Sequence, residues 1–310
     1  MTKVIRIGTR NSPLAIWQAE HVAGLLNASA FQTEIITIET EGDRMPDATI
    51  SKNSSKGVFT GAIEEQLFAG TLDIAVHSAK DIPSETPEGL ELIGFTLRED
   101  PNDVILSHHN DFKIMQGSPV IGTASTRSIA FLKHFHPNVK TVTIRGNLET
   151  RITKMKAGEC DALLLSYAGV HRLEFDELII EKIPTSYFVP PVGQGCIVIE
   201  CHQKLDFAKK EAVAKYVNHP ETEDCIRAER AFLKTIQGGG GIPAFGYAHL
   251  EGALITLKAG IISLDGKKVI KVKDSAPAKD AKELGKRVAF EVLKEGGKEI
   301  LDQIKQTLDH

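Results

Sequence analysis

Short apolar runs alternate with amphipathic stretches from the first residues onward. Residues 4–9 read as a strand, and Ser12-Pro13 reads as a helix N-cap followed by proline at the first helical position. Leu14, Trp17, Val22 and Leu25-Leu26 then fall roughly on one face of a helix. Residues 33–39 predict a second strand, 58–69 a second helix, and Leu72-Asp-Ile-Ala-Val-His77 a buried third strand. Such β-α-β-α-β alternation belongs to a mostly parallel sheet covered on both faces. The pattern restarts after Asp100-Pro101, with strands at 119–122, 140–145 and 161–166 and helices at 125–134 and 147–156. Pro190-Pro191-Val-Gly-Gln-Gly195 interrupts it. Two similar α/β halves joined by short crossings predict a hinged pair with a ligand cleft, the ligand lying beyond the carboxyl ends of strands. From about residue 217 the character changes to α+β: short strands over 243–273 with an Asp265-Gly266 turn, then amphipathic helices over 278–294 and 296–308.

Composition narrows the function classes. The 310 residues allow two or three domains, and 42% apolar with 25% charged residues is an ordinary globular balance. A formal net charge of -4 gives no global attraction to nucleic acid or an anionic membrane. No apolar run approaches the roughly 20 residues that span a bilayer. The N-terminus becomes strand-like at once and shows no signal-peptide pattern, so a cytoplasmic protein is expected. Cys160, Cys196, Cys201 and Cys225 form no Cys-x-x-Cys pair, and a disulfide framework is not expected. His108-His109 and His134/His136 lack a partner at ligand spacing, so no metal is expected.

Four polar clusters begin where predicted strands end: Gly8-Thr9-Arg10-Asn11-Ser12, His77-Ser78-Ala79-Lys80-Asp81, Gly122-Thr123-Ala124-Ser125-Thr126-Arg127 and Arg145-Gly146-Asn147-Leu148-Glu149-Thr150-Arg151. Arginine pairs with carboxylates bidentately, so several arginines at strand ends point to a small ligand bearing several carboxylates. Taken singly, each arginine is equally well a surface residue or half of a structural ion pair. Asp81 alone reads as a turn or cap carboxylate. Among Lys80, Arg10 and the other cations it would stay ionised, and it could stabilise positive charge developing on a ligand.

These segments together resemble the porphobilinogen deaminase (hydroxymethylbilane synthase) family. The resemblance runs nearly the whole chain, through Ile-Gly-Thr-Arg10-Asn-Ser12-Pro-Leu-Ala, Ser54-Ser-Lys56-Gly-Val-Phe59, Ile-Ala-Val-His77-Ser78-Ala-Lys80-Asp81-Ile-Pro and Arg98-Glu-Asp-Pro-Asn-Asp103. It continues through Arg145-Gly-Asn-Leu-Glu-Thr-Arg151, Ala168-Gly-Val-His-Arg172, Pro191-Val-Gly-Gln-Gly195 and Ala228-Glu-Arg-Ala-Phe232. It implies two periplasmic-binding-protein-like α/β domains, 1–97 with 197–215 and 101–192, plus a small C-terminal α+β domain over 217–310. It implies a cytoplasmic monomer that condenses four porphobilinogen molecules into a linear tetrapyrrole on a dipyrromethane cofactor. Porphobilinogen and linear oligopyrroles are its implied partners, with neither nucleic acid nor membrane. Asp81 would hydrogen-bond pyrrole N–H groups and stabilise the cationic intermediate. Arg10, Arg127, Arg145, Arg151 and Arg172 would bind acetate and propionate side chains. Lys52, Lys56 and Lys80, with Ser12, Ser78, Thr123 and Ser125, would complete the polar lining, and Phe59 would cover the cleft.

The chain departs from the family pattern where the cofactor is anchored. The family attaches dipyrromethane to a cysteine in a Gly-Gly-Cys motif. The matching stretch is Gln237-Gly238-Gly239-Gly240-Gly241-Ile242-Pro243, with Gly240 in the cysteine position. Ser128 stands where the family has a second adjacent arginine, Ala124 where it has serine, Thr60-Gly61-Ala62 where it has a Lys-Glu pair, and His202 where it has arginine. The expected function is the family's condensation, with the primer held non-covalently; the alternative is a non-catalytic or altered-product member of the family that binds porphobilinogen or linear pyrroles.

Overall fold

Alternation places the first strand. In β1 (Val4–Arg10) Ile5 and Ile7 are wholly buried while Arg6 is half-exposed, and β2 (Gln32–Ile38) and β3 (Ile74–Ser78) run parallel to it on either side. Ile5, Ile7, Ile74 and Val76 pack against Ala19, Val22 and Leu26 of α1 (Pro13–Leu26). The other face of the sheet, through Ala75, meets Ile63 and Leu67 of α2 (Gly61–Phe68). The computed structural model describes residues 4–40, 42, 59–239 and 241–309. Lys52, Lys56 and Gly240 lie outside them.

The sheets are mixed, where the sequence pattern predicts mostly parallel ones. β4 (Leu90–Phe95) and β10 (Ile197–His202) complete the first sheet in the order β2-β1-β3-β10-β4, with β10 antiparallel to both neighbours. The second sheet has the same plan. β5 (Asp103–Leu106), β6 (Val120–Gly122), β7 (Lys140–Val142), β8 (Ala162–Ser166) and β9 (Ile179–Ile183) take the order β7-β6-β8-β5-β9, and β5 is antiparallel to β8 and β9. The helices here are α3 (Thr126–Phe135), α4 (Leu148–Lys156) and α5 (Tyr167–Arg172). Next come α6 (Phe207–Tyr216), against the first sheet, and α7 (Pro220–Thr235).

A third, antiparallel sheet, β11 (Ala244–Glu251), β12 (Leu254–Ile262) and β13 (Val269–Pro277), packs against α7, α8 (Ala281–Val292) and α9 (Lys298–Asp309). Gly296, at φ +110°, separates α8 from α9. Phe245 of β11 joins the second sheet's core, its ring 5.0 Å from Phe131. Glu229, fully buried on α7, accepts the Gly193 and Ala248 N–H groups at 2.7 Å each, and so ties the 190–195 crossing to β11. The chain divides into two units, Met1–Glu99 with Gly195–Glu223 and Asp100–Gln194 with Asp224–His310.

Candidate active site

In the first unit the polar residues gather at the carboxyl ends of β1 and β3. Thr9 donates its hydroxyl to Ala15 O at 3.0 Å, fixing the corner between β1 and α1. Ser12 caps the helix, its Oγ accepting from Ala15 N–H at 3.4 Å. Arg10 closes β1, and its guanidinium carbon lies 4.3 Å from the centre of the Phe59 ring. β3 ends at Ser78 and passes into a 3-10 turn, Ala79–Asp81, whose first N–H is held by Cys196 O at 2.9 Å. The turn leaves Lys80 and Asp81 exposed. Arg10, Ser12, Gln18, Phe59, Ser78 and Asp81 line one cavity. It offers a cation, hydroxyls, an amide, an imidazole and a carboxylate beside apolar Leu14, Ala15, Phe59 and Val76.

Gln18 is absent from the residues that the sequence points to. It is 2% exposed, and its Nε2 donates to Ser78 Oγ at 2.8 Å. The available signal was a polar side chain on the buried stripe of α1, between Trp17 and Val22. Thr60 and His77 also face this cavity.

In the second unit the remaining candidates follow β6, β7 and β8. Thr123 is buried just after β6, and Ser125 caps α3 by accepting from Ser128 N–H at 3.2 Å. Arg127 is 4% exposed and committed inward: Nη2 meets Asp103 Oδ2 at 2.8 Å, and Nη1 donates to Val189 O at 3.1 Å. A ligand carboxylate would compete there with a buried protein carboxylate. Arg145 follows β7. Gly146, at φ +115°, turns the chain, and Asn147 caps α4 by accepting from Thr150 N–H at 2.9 Å. Arg151 returns to this turn, Nε donating to Gly146 O at 2.8 Å. Arg172 ends α5 and is 8% exposed.

The four cysteines are buried thiols. Burial pushes Cys160 up to about 11 and Cys201 up to about 12, which disfavours the nucleophilic thiolate at both. The polar side chains fit a cofactor bearing carboxylates and pyrrole N–H groups. Residue 240, a glycine, offers no atom for a thioether.

The family model described as "Porphobilinogen deaminase, dipyromethane cofactor binding domain" matches residues 5–210, and that of the "Porphobilinogen deaminase, C-terminal domain" matches 224–294. The porphobilinogen deaminase of Desulfosudis oleivorans is 49% identical over 304 residues, covering 97% of this chain and 98% of its own. That of Cytophaga hutchinsonii is 46% identical over 310 residues, covering 99% of each. Among solved structures, the probable amino-acid ABC transporter extracellular-binding protein ytmK of Bacillus subtilis is similar over 70% of this chain and 90% of its own, at a TM-score of 0.45 and 11% identity.

Proposed function

Because the chain belongs to the porphobilinogen deaminase family, we propose that it joins four porphobilinogen molecules into hydroxymethylbilane, releasing one ammonia from each and adding one water to the last methylene as the product is freed. The observation that carries this reading is the cavity at the ends of β1 and β3, where the Asp81 carboxylate shares a wall with Arg10, Ser12 and Ser78. Loss of ammonia from an aminomethylpyrrole leaves a cation delocalised into the ring. A fixed carboxylate beside that ring stabilises the charge as it develops and orients the ring through its N–H. Arg10 takes a substrate carboxylate, and Ser12 and Ser78 add hydroxyl donors. In the second unit Arg145, Arg151 and Arg172, with Thr123 and Ser125, serve the acetate and propionate groups of the growing chain. Arg127 is expected to join them by the family resemblance, although its guanidinium is engaged with Asp103 and Val189 O. Lys80 adds exposed positive charge, Phe59 covers Arg10, and Lys52 and Lys56 extend the lining by the family resemblance.

The dipyrromethane cofactor belongs to the domain matched over 5–210. When bound, it supplies the free pyrrole carbon to which the first substrate adds. Arg10 and Asp81 of the first unit would hold it, by charge and hydrogen bonding rather than through residue 240. We place the protein in the cytoplasm as a monomer acting on small molecules. The net charge of -4 gives no general attraction to nucleic acid or an anionic membrane, and among the described residues no helix is long and apolar enough to cross a membrane.

Incubation with porphobilinogen tests the function: consumption of substrate with release of ammonia and a linear tetrapyrrole is expected. Tight binding of porphobilinogen without consumption would overturn the transferase and leave a binding protein.

A further inference from the structure

One group of polar atoms beneath this cavity has no part in the chemistry just described. The antiparallel register of β3 and β10 sets His77 opposite Val198 and Ala75 opposite Glu200. His77 and Glu200 therefore share the sheet face that packs on α2. That face is apolar through Ala75, Ile63 and Leu67, yet it buries Glu200 completely and leaves His77 only 5% exposed. Thr60, at the N-terminal end of α2, and Glu64, in its first turn, complete the group. His77 Nε2 stands 3.3 Å from Glu200 Oε2 without the alignment of a hydrogen bond. Among the described residues, both Glu200 oxygens, Glu64 Oε1, Thr60 Oγ1 and His77 Nε2 are buried with no well-formed hydrogen bond. Burial pushes the Glu64 carboxyl up, the nearby Thr60 hydroxyl and His77 offset part of this, and Glu200 adds to it.

Buried polar atoms left unsatisfied are costly, and native folds satisfy them with ordered water when protein groups do not. His77 and Thr60 both face the cavity lined by Asp81, so the group borders the reaction site. We propose that Thr60, Glu64, His77 and Glu200 hold a buried water cluster that carries away the proton released at each ring coupling.

The proposal rests on the condensation reading. In a coupling, the aminomethyl C–N bond breaks and ammonia leaves with the electron pair. The methylene carbon then bonds the free α-carbon of the preceding ring. The C–H bond at that α-carbon breaks, its electron pair restores the aromatic ring, and one proton must depart. Asp81 is the carboxylate at the site. From it the proton passes through water to the His77 imidazole, whose positive charge Glu200 offsets. It leaves to ammonia or bulk water before the next step, and no oxidant or reductant is involved.

A crystal structure of the protein alone tests the water site. Ordered waters within about 3.2 Å of the Glu200 and Glu64 carboxylates are expected, and a dry contact between these side chains overturns the proposal whether or not the protein turns over substrate. Kinetics test the proton path. The double variant His77→Phe with Glu200→Leu replaces the buried pair by apolar groups, an exchange that folds commonly tolerate. Its kcat should fall by about 10- to 100-fold with little change in KM. If it does not fold, His77→Gln gives the same comparison. Added imidazole should restore kcat to His77→Ala, which a packing role would not produce. Unchanged kcat in the folded variants, or no rescue, overturns the path. A wild-type protein that consumes no porphobilinogen removes the path together with the condensation, and the crystal structure alone then decides the water site.

Discussion

Asp81 and Asp73 show how differently two carboxylates can be placed within one unit. Asp81 ends an exposed turn, so Asp81→Asn should shift stability by no more than about 0.5 kcal/mol. Its kcat for porphobilinogen should nevertheless fall by at least about 100-fold, because the amide cannot offset a developing cation. Paired thermal unfolding and turnover measurements check this, and near-normal turnover would remove Asp81 from the chemistry. Asp73 has a structural task. It accepts Arg6 N–H at 2.8 Å and Arg6 Nε at 3.0 Å, and Lys209 Nζ lies 2.7 Å away. Burial alone would raise this carboxyl, but the hydrogen bonds from Arg6 and Lys209 prevail and hold it below its ordinary value. A depressed folded-state value means stability that is present above the ordinary carboxylate range, about 3.9, and lost as the pH falls through the folded-state value. Arg6 is partly exposed, so solvent screening keeps the effect below that of a wholly buried pair. Asp73→Asn should cost about 1–3 kcal/mol at pH 7, and the gap should narrow below about pH 4. Urea unfolding at pH 7 and pH 3 reads the difference.

The turn between β7 and α4 shows an element setting the position of two candidate arginines at once. A Cβ on Gly146 would fall 2.7 Å from Thr150 Cγ2, at a φ of +115° that side-chain-bearing residues rarely adopt. Gly146→Ala should cost about 1–3 kcal/mol and raise KM for porphobilinogen more than it lowers kcat, since Arg145 precedes the turn and Arg151 donates to its carbonyl. Denaturant unfolding and steady-state kinetics test both halves, and an unchanged KM would separate the turn from ligand binding. This element was legible because Gly-Asn at the start of an amphipathic stretch has a local mechanism, a turn followed by a cap. The strands β4, β5, β9 and β10 were not read. Each is 4–6 residues long with no helix-length spacer to mark it, and their antiparallel pairing is set by partners far away in the chain. The expectation of mostly parallel sheets failed for that reason. Gln18 escapes a sequence reading on similar grounds, and Thr60 and His77 gain their place only from what faces them across the fold.

Across the whole molecule, every thiol is buried and the position that would anchor the cofactor is glycine. The expected intact mass after denaturation is therefore that of the polypeptide alone, with no Ehrlich colour. Gly240→Cys alone should add a dipyrromethane mass and a positive colour when the protein is exposed to porphobilinogen, because the cationic and hydroxyl groups of both units are retained. The other departure, Ser128, calls for a different treatment. It is 2% exposed and within 3.3 Å of the Arg127 guanidinium, which is itself bound to Asp103. An arginine there would have to find room beside an existing buried cation, so Ser128→Arg should lower stability and add little to cofactor capture. Comparing the single and double variants by mass, colour and unfolding separates the two effects. A colourless Gly240→Cys protein that becomes coloured only with Ser128→Arg would show that cofactor capture, like attachment, depends on residue 128. Colour in the unaltered protein would show a covalent handle elsewhere.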